Sequence, residues 1–307
     1  MNDILKRLAF KYFPLTINEI LLFIRYKYPF SKAIAHHLKS NYFYYYQKKN
    51  NFSLINTDNV LIIAPHPDDE VIGMGGTIIK LLNYSSDVTI LYMTDGRNGG
   101  GHGILPDKLK IIRRKEAISL GKRYNLKQIF WNIPDVVKSQ NFCIKKYLTN
   151  NNYSVLKMVK LLEMIHPKSI FITSFFDFSV DHFSANKILC DAMDLINLFS
   201  CNIICYEIWN YIPIPNCVVN ITNEHKEKDE MLQFYSSQLK DGKLMNLMND
   251  RNKTRHQLYL NGNIYGFSEA FLKFSKQSYI DLFRKFLDVL IKTGKTNPKL
   301  HPYITYK

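Results

Sequence analysis

The stretch LIIAPHPDDEVIGMGG, at residues 61–76, carries side chains that could do hydrolytic chemistry with a metal ion. An apolar run at 60–64 ends in a proline-containing turn that presents His66, Asp68 and Asp69. An imidazole and a carboxylate are good ligands for a divalent metal, and a second carboxylate beside them can take a proton from water. The residue types and their spacing therefore indicate metal-assisted hydrolysis at the carboxyl end of a strand.

A catalytic metal site of this type usually has three protein ligands, so a third must come from another part of the chain. The apolar pattern KSIFITS at 168–174 predicts a strand, and the segment after it, SFFDFSVDHFSAN, is predicted to be a second strand-end loop. This loop offers Asp177, Asp181 and His182 as candidate ligands or supporting carboxylates.

The combination of His66, Asp69 and His182 gives two imidazoles and one carboxylate. Such a set suits zinc and leaves one position open for water. Asp68 is then the candidate general base, because it lies beside the metal without being needed as a ligand. Asp181, the neighbour of His182, is a candidate to orient a ligand imidazole.

From residue 58 onward the sequence alternates between short apolar strands and longer helical patterns. The predicted strands are 60–64, 87–94, 128–133, 168–174 and 202–209, and the predicted helices between them are 70–83, 108–125, 155–165 and 184–199. This alternation predicts an α/β fold, a Rossmann-like and mostly parallel sheet with helices on both faces. Ligands of such sheets bind beyond the carboxyl ends of the strands, where the strand order switches.

The composition divides the chain into three predicted parts. Residues 1–55 form a basic and aromatic helical extension, residues 56–275 the main α/β domain, and residues 276–307 a C-terminal helix and tail. We favour an N-terminal extension that packs on the main domain. Peripheral contact of residues 1–50 with an anionic membrane surface is the alternative.

Charge and cysteine content limit the classes of partner and compartment. The 307-residue chain has 41 Lys and Arg against 26 Asp and Glu, a formal charge of +15. The basic residues are scattered, so we expect no nucleic-acid partner, while an anionic sugar, nucleotide or membrane surface stays open. Five cysteines without a C-x-x-C pair, the absence of a signal-peptide pattern and the absence of a long apolar run predict a cytoplasmic protein with reduced thiols.

The motif PHPDDE at 65–70 resembles the A-H-P-D-D-E signature of the PIG-L/LmbE-like zinc-dependent N-deacetylases. Weaker similarities follow in the order of that family, and the resemblance covers roughly residues 58–275. They are MTDGRNGG at 93–100, RRKEAISLG at 113–121, NIPD at 132–135 and SVDH at 179–182.

The resemblance implies a role for each matching residue. Zinc would be held by His66, Asp69 and His182, and Asp68 would be the base. Arg113 or Arg114 would contact the substrate, and Asp135 would support the site. The implied reaction is hydrolysis of an N-acetyl group from a GlcNAc-like amino sugar, free, nucleotide-linked or lipid-linked, which yields acetate and an amine.

One position departs from the family pattern. The family usually has a histidine three residues before the last metal ligand, and this chain has Ser179 there. His102 and Tyr211 are candidates to supply the missing support for the oxyanion. The departure keeps two alternatives open: a non-catalytic or decayed sugar-binding member, and a deacetylase of a non-sugar amide or an O-acetyl ester.

Overall fold

The computed structural model describes most of the chain between residues 59 and 292. The described residues are 59–99, 103–135, 152–177, 179–196, 200–212, 215–239, 242–260 and 265–292. The strands are β1 (Asn59–Ala64), β2 (Asp87–Thr94), β3 (Lys127–Ile133), β4 (Ser169–Thr173), β5 (Asn202–Tyr206), β6 (Cys217–Asn220) and β7 (Ser268–Ser275). The helices are α1 (Asp69–Asn83), α2 (Pro106–Tyr124), α3 (Asn152–Ile165), α4 (Val180–Leu195), α5 (His225–Gln233), α6 (Lys243–Tyr259) and α7 (Lys276–Lys292).

In the described part of the chain, seven strands form one sheet in the order β3-β2-β1-β4-β5-β7-β6. The five strands from β3 to β5 in this order are parallel to their neighbours, and β7 is antiparallel to both β5 and β6. After β1 the chain first builds the sheet on one side and then continues on the other side with β4. The gap between β1 and β4 is therefore the switch point at which ligands bind in such sheets.

Alternate side chains of the strands supply two hydrophobic cores, one on each face of the sheet. Leu61 and Ile63 of β1 pack in the core covered by α3, α4 and α7. Val60 and Ile62 pack in the opposite core, covered by α1, α2, α5 and α6. Burial on both faces explains why the strand reads as a continuous apolar run. The predicted α/β class, with a mostly parallel sheet, is confirmed.

Two boundaries near the predicted site differ from the sequence pattern. Helix α4 begins at Val180, so Asp181 and His182 lie in its first turn and not in a loop. An acidic residue in the first turn is favoured by the helix dipole, which apolar periodicity does not register. Strand β5 ends at Tyr206, and the backbone N–H groups of Trp209 and Ile212 after it donate to the carboxylates of Asp177 and Glu207.

Two predictions on the chain ends lie outside the described residues, namely the N-terminal extension at 1–55 and the tail beyond residue 292. His102, in the segment between β2 and α2, also lies outside them. Helix α7 is described, and its Tyr279 and Phe283 pack in the same core as α4. The predicted division of the chain into three parts stays a prediction. None of the described helices combines the length and the apolar character needed to cross a membrane.

Candidate metal centre

The loop after β1 and the first turn of α4 meet at the switch point of the sheet. Because β1 and β4 are neighbours, their carboxyl ends place His66 and Asp69 next to His182. Asp69 is the first residue of α1, and its Oδ2 accepts a hydrogen bond of 2.8 Å from the backbone N–H of His66. The structure thus brings together the three residues that the sequence predicted as ligands.

Three side-chain atoms form a nearly equilateral triangle. His66 Nδ1 lies 3.0 Å from Asp69 Oδ2, and His182 Nε2 lies 3.3 Å from each of these two atoms. A tetrahedral zinc ion with bonds of about 2.0–2.1 Å holds its ligands about 3.3 Å apart, so the triangle has a suitable size. Among the described residues, this is the group of His, Cys, Asp and Glu side chains spaced closely enough to share a metal ion.

The donor set favours positive charge at its centre. Burial lowers the pKa of His182, but the carboxylates of Asp69 and Asp177 outweigh burial and raise that pKa to about 9. Burial also lowers the pKa of His66, and Asp69 and Asp181 raise it well above its usual value. Burial raises the pKa of Asp69, and the two imidazoles hold it well below its usual range. The surrounding carboxylates therefore favour positive charge at the imidazoles, and a bound metal cation would supply such a charge.

Each imidazole contacts a second carboxylate through its other ring nitrogen. His66 Nε2 lies 3.2 Å from Asp181 Oδ2, and His182 Nδ1 lies 3.1 Å from Asp177 Oδ2. A carboxylate in this position fixes the tautomer and the direction of a metal-binding histidine. Asp181 therefore contacts a predicted ligand imidazole, but it is that of His66 and not that of its neighbour. The position of Asp177 beside His182 could not be read from the spacing.

Asp68 lies in the turn between β1 and α1, in a strained backbone conformation. Its φ of 123° is rare for any residue other than glycine, and such strain concentrates at functional sites. The residue is buried, and Oδ1 lies 2.7 Å from Nη2 of Arg113. Burial raises the pKa of Asp68 to about 7, while the charge of Arg113 opposes that rise. A carboxylate with this pKa can both accept and release a proton near neutrality.

Arg113 connects Asp68 to the loop that follows β2. Its guanidinium donates a hydrogen bond of 3.1 Å to the carbonyl of Gly96. Asp135 accepts hydrogen bonds from the backbone N–H groups of Gly96, at 2.8 Å, and Asn98, at 3.0 Å. Gly96 has a φ of 69°, and a Cβ there would lie 2.9 Å from Arg113 Cδ, so a side chain is excluded. Asp135 thus supports the loop that holds Arg113.

The other predicted substrate-binding or supporting residues lie apart from this group or outside the described residues. Arg114 is exposed, donates to Asn132 Oδ1 at 2.7 Å and lies over the ring of Phe130, both on the edge strand β3. Ser179 immediately precedes α4, is partly exposed, and makes no side-chain capping bond to the helix. His102 lies outside the described residues, so its role stays a prediction.

Sequence reasoning did not single out a buried carboxylate that supports the strained turn. Glu70 Oε1 accepts hydrogen bonds from the hydroxyls of Tyr92, at 3.0 Å, and of Tyr235. Glu70 Oε2 accepts a 3.2 Å hydrogen bond from the backbone N–H of Asp68. Burial raises the pKa of Glu70 to about 7, and the Tyr235 hydroxyl opposes that rise. The helical spacing of Met231, Phe234 and Tyr235 predicts core packing. Such a pattern concerns the apolar ring of Tyr235 and gives no information about the partner of its hydroxyl group.

Helix α1 is broken at Met74, whose φ of −150° and ψ of 25° are not helical. A break of this kind leaves backbone carbonyl and N–H groups without helical partners. The carbonyl of Ile72, before the break, accepts hydrogen bonds from Lys228 Nζ at 3.1 Å and from Arg251 Nη2 at 2.8 Å. Two cations from the C-terminal helices therefore cap the segment that begins with Asp69.

A buried carboxylate caps the second segment of the same helix. Glu269 accepts hydrogen bonds from the N–H groups of Gly76, at 3.0 Å, and Thr77, at 2.8 Å, just after the break. Lys228 Nζ lies 2.7 Å from Glu269 Oε1, and both side chains are fully buried. The two helix segments are thus joined through one buried ion pair, and the first segment is the one that begins with Asp69.

The comparisons with known proteins agree with this arrangement. Residues 61–193 match the family described as PIG-L: GlcNAc-PI de-N-acetylase, and they include His66, Asp69 and His182. A diacetylchitobiose deacetylase from Thermococcus kodakarensis is 47% identical over 57 residues, which are 19% of this chain and 21% of that protein. The match thus spans about a fifth of that relative's length.

Two solved structures share the fold. The N,N'-diacetylchitobiose deacetylase of Pyrococcus horikoshii, complexed with its inhibitor MPG, has a TM-score of 0.60 and 23% identity, covering 74% of this chain and 89% of that chain. The 4-carboxy-2-hydroxymuconate hydratase GalB of Pseudomonas putida has a TM-score of 0.56 and 14% identity, covering 70% and 95%. At these identities the likeness shows the fold alone, and the fold accommodates more than one chemistry.

The family match spans the helix and strands that position the ligand triangle, from β1 into α4. The alignment with the Pyrococcus horikoshii structure covers 74% of this chain, a larger share than the family match. The resemblance that the motifs predicted is confirmed for the part of the chain that carries them: residues 61–193 match the PIG-L family.

Proposed function

We propose that this protein is a zinc-dependent hydrolase that removes an N-acetyl group from an amino sugar. One observation carries the proposal: His66 Nδ1, Asp69 Oδ2 and His182 Nε2 form a triangle of the size that a metal ion needs. Asp68, the residue before Asp69, adds a carboxylate that is not part of this triangle. Amide hydrolysis at a metal needs an ion with an open position for water or substrate and a free base beside it, and this arrangement offers both. The family match and the diacetylchitobiose deacetylases among the similar proteins support the substrate class.

The residues divide the work as follows. His66, Asp69 and His182 would hold the zinc ion, which when bound polarises the amide carbonyl and lowers the pKa of water. Asp68 takes a proton from the attacking water while Arg113 holds its carboxylate in place. A carbon–oxygen bond forms and the carbon–nitrogen bond breaks, so the products are acetate and the amino sugar. Asp68 then returns the proton to the departing amine.

The side chains around the triangle differ in their exposure to solvent. Those of Asp69 and His182 are 2% and 0% exposed, whereas those of His66 and Asp181 are 16% and 12% exposed. Solvent therefore reaches His66 and Asp181, while Asp69 and His182 are shielded from it. Partial exposure of one predicted ligand supports a site that a substrate can reach.

The oxyanion support is the weakest part of the arrangement. Ser179 stands where the family usually has a histidine, and its hydroxyl can donate a hydrogen bond but carries no charge. Loss of one oxyanion donor typically costs on the order of 10²–10³ in rate. We therefore expect slow turnover, and we expect Ser179→His to raise kcat at an unchanged zinc content.

Acetate release tests the proposal. Zinc-loaded protein is incubated with N,N'-diacetylchitobiose, a simple N-acetylglucosamine glycoside and a nucleotide-linked N-acetylglucosamine, and acetate and free amine are both measured. We expect equal amounts of the two products, loss of activity with a chelator and its return with zinc. Asp68→Asn should lower kcat by roughly 10³ or more because it removes the base.

A matched control is Asp107→Asn, because Asp107 is an exposed carboxylate paired with Lys110 on the surface. This variant should keep the wild-type rate. Activity that survives both the chelator and Asp68→Asn would contradict the proposal. The formal charge of +15 favours an anionic carrier, so the nucleotide-linked substrate should have the lowest KM of the three.

The alternatives that Ser179 keeps open make different predictions. A deacetylase of O-acetyl esters would release acetate and a hydroxyl instead of an amine. A non-catalytic sugar-binding member would bind zinc and sugar but release no acetate from any substrate. Restoration of turnover by Ser179→His in that case would identify a decayed enzyme.

A further inference from the structure

An exposed tryptophan lies beside the candidate metal centre and has no part in the proposed hydrolysis. Trp209 follows β5, the strand next to β4, at the carboxyl edge of the sheet. It is 47% exposed, and Tyr211, two residues later, is 36% exposed. Exposed aromatic rings at the mouth of a polar site are a common means of ligand binding.

One carboxylate oxygen links Trp209 to the ligand triangle. The backbone N–H of Trp209 donates a hydrogen bond of 2.9 Å to Asp177 Oδ2. The same oxygen lies 3.1 Å from Nδ1 of His182, whose Nε2 belongs to the triangle. Only the Asp177 carboxylate and the imidazole ring therefore separate the tryptophan backbone from the candidate metal position.

The loop that carries Trp209 is held by buried groups on both sides. The carbonyl of Ile208 accepts a hydrogen bond of 2.5 Å from Arg251, and the N–H of Ile212 donates one of 2.6 Å to Glu207. Arg255 is buried and bonds both the Glu207 carboxylate and the carbonyl of Ile212.

Two further contacts position the exposed residues of this loop. The side-chain amide of Asn210 donates a 3.2 Å hydrogen bond to the carbonyl of Phe176, and the ring of Tyr211 lies 4.7 Å from the Arg255 guanidinium carbon. A loop fixed in this way presents its aromatic rings without a large loss of entropy on binding.

We propose that Trp209 is a sugar-binding residue, and that its indole packs against a pyranose ring attached to the acetylated nitrogen or adjoining it. A pyranose presents a face of C–H groups between its hydroxyls, and a flat aromatic ring buries that face from water while the hydroxyls stay hydrated. The inference rests on the proposed function for the class of ligand. The inference adds to that function a residue, Trp209, that would make the protein bind a sugar more tightly than a small acyclic amide.

Intrinsic fluorescence tests this inference directly, because the chain has two tryptophans. Trp131, the second, is 8% exposed on β3, with Lys157 Nζ 4.9 Å from its ring centre. Two double variants are compared after zinc loading: Asp68→Asn with Trp131→Phe, and Asp68→Asn with Trp209→Phe. The Asp68→Asn change keeps the sugar intact during titration with N,N'-diacetylchitobiose, and calorimetry measures binding in parallel.

We expect a saturable blue shift of emission when Trp209 is the remaining tryptophan and a constant spectrum when Trp131 is. Kinetics supply a second measurement. Trp209→Ala should raise KM for N,N'-diacetylchitobiose about fivefold to tenfold with kcat nearly unchanged, and Trp209→Phe should recover most of that loss. For a small acyclic N-acetyl amide, the wild-type protein and Trp209→Ala should have equal kcat/KM.

An unchanged Trp209 spectrum under conditions where calorimetry detects the sugar would overturn the inference and leave the proposed function intact. A Trp209 surface that serves a protein partner would give the same negative result. Absence of both sugar binding and the spectral shift would also overturn it. Acetate release by the wild-type protein tests the proposed function separately. Failure of the Trp209 inference can therefore be distinguished from failure of the proposed function.

Discussion

At the residue scale, the state of Asp68 depends on two opposing influences. Burial raises its pKa to about 7, and the guanidinium of Arg113, 2.7 Å away, restrains that rise. A base works only in its ionised form, so activity should be present above this pKa and be lost as the pH falls through it. We therefore expect Arg113 to be a positioning residue that acts through Asp68.

Arg113→Met should shift activity to higher pH. Removal of the opposing charge lets burial raise the pKa of Asp68 further, so the carboxylate is protonated at pH 7 in a larger fraction of molecules. We expect at least about a tenfold loss of kcat/KM at pH 7 and partial recovery at higher pH. The measurement is a pH–rate profile, and the neighbouring exposed Arg114 supplies the control Arg114→Met. A variant with the wild-type profile would refute this role of Arg113.

Tyr235→Phe should weaken the support of the strained turn while keeping the packing of the ring. The hydroxyl donates to Glu70, which in turn accepts the N–H of Asp68. Loss of one hydrogen bond to a buried carboxylate costs about 1–3 kcal/mol, measurable as a lower urea midpoint. The exposed Tyr84 supplies the matched control Tyr84→Phe, which should leave the midpoint unchanged. Equal midpoints for both variants would show that the Glu70 contact contributes nothing.

Residue types and spacing alone predicted the ligand triangle. His66, Asp69 and His182 stand in two segments that each follow an apolar strand, and parallel sheets bring such segments together. The supporting contacts could not be predicted in the same way. Glu70 accepts a hydrogen bond from Tyr235, which lies 165 residues later in the sequence. Asp177 accepts one from the backbone N–H of Trp209, which follows β5. Both contacts depend on tertiary packing that no local sequence pattern encodes.

At the scale of elements, the break in α1 separates the short segment that begins with Asp69 from the rest of the helix. A helix with three glycines and an interior break would be a poor helix by propensity. Lys228, Arg251 and Glu269 satisfy the backbone groups that the break exposes. The sequence predicted the helix at 70–83, but it could not predict the break, because the groups that stabilise it come from the C-terminal part of the fold.

Lys228→Met tests this account of the helix. The change leaves Glu269 buried without its ion-pair partner, which should cost about 3–5 kcal/mol of unfolding free energy. Lys80→Met is the control, because Lys80 lies on α1 itself and pairs with Glu224 at a partly exposed position. This control should cost less than about 1 kcal/mol.

Zinc affinity separates positioning from general destabilisation in the same pair of variants. Under conditions where both remain folded by circular dichroism, Lys228→Met should bind zinc more weakly than Lys80→Met, because the segment before the break carries Asp69. Equal zinc affinities of the two variants would show that the Lys228–Glu269 pair contributes to stability but does not position Asp69.

At the scale of the whole molecule, the alternation of strands and helices was sufficient to predict the fold class. The antiparallel strands β6 and β7 at one edge were not part of that pattern, because they lie among the C-terminal helices and one of them is only four residues long. Helix α7 completes the core on the face of α3 and α4, so the sheet is covered on both sides by residues from distant parts of the chain.

The described cysteines provide a probe of both cores: Cys190, Cys201 and Cys205 pack on the face of α7, and Cys217 packs on the opposite face. Burial raises the pKa of Cys190 to about 12 and that of Cys201 to about 11, and it raises those of Cys205 and Cys217 well above the ordinary range. In a Cys143→Ser variant, iodoacetamide at pH 8 should therefore alkylate these four thiols only as the protein unfolds, because the thiolate is the reactive form. Mass spectrometry at increasing urea measures this. Rapid alkylation of one thiol without denaturant would place it outside the core.

Zinc stoichiometry is the most direct test of the central claim that His66, Asp69 and His182 form one metal centre. Metal-free wild-type protein, His182→Ala and Asp68→Asn are each equilibrated with zinc, dialysed and analysed by atomic spectrometry, with folding confirmed by circular dichroism. The account predicts one zinc ion per chain for the wild-type protein and for Asp68→Asn, and almost none for His182→Ala. Full retention of zinc by His182→Ala, or no bound zinc in the wild-type protein, would contradict it.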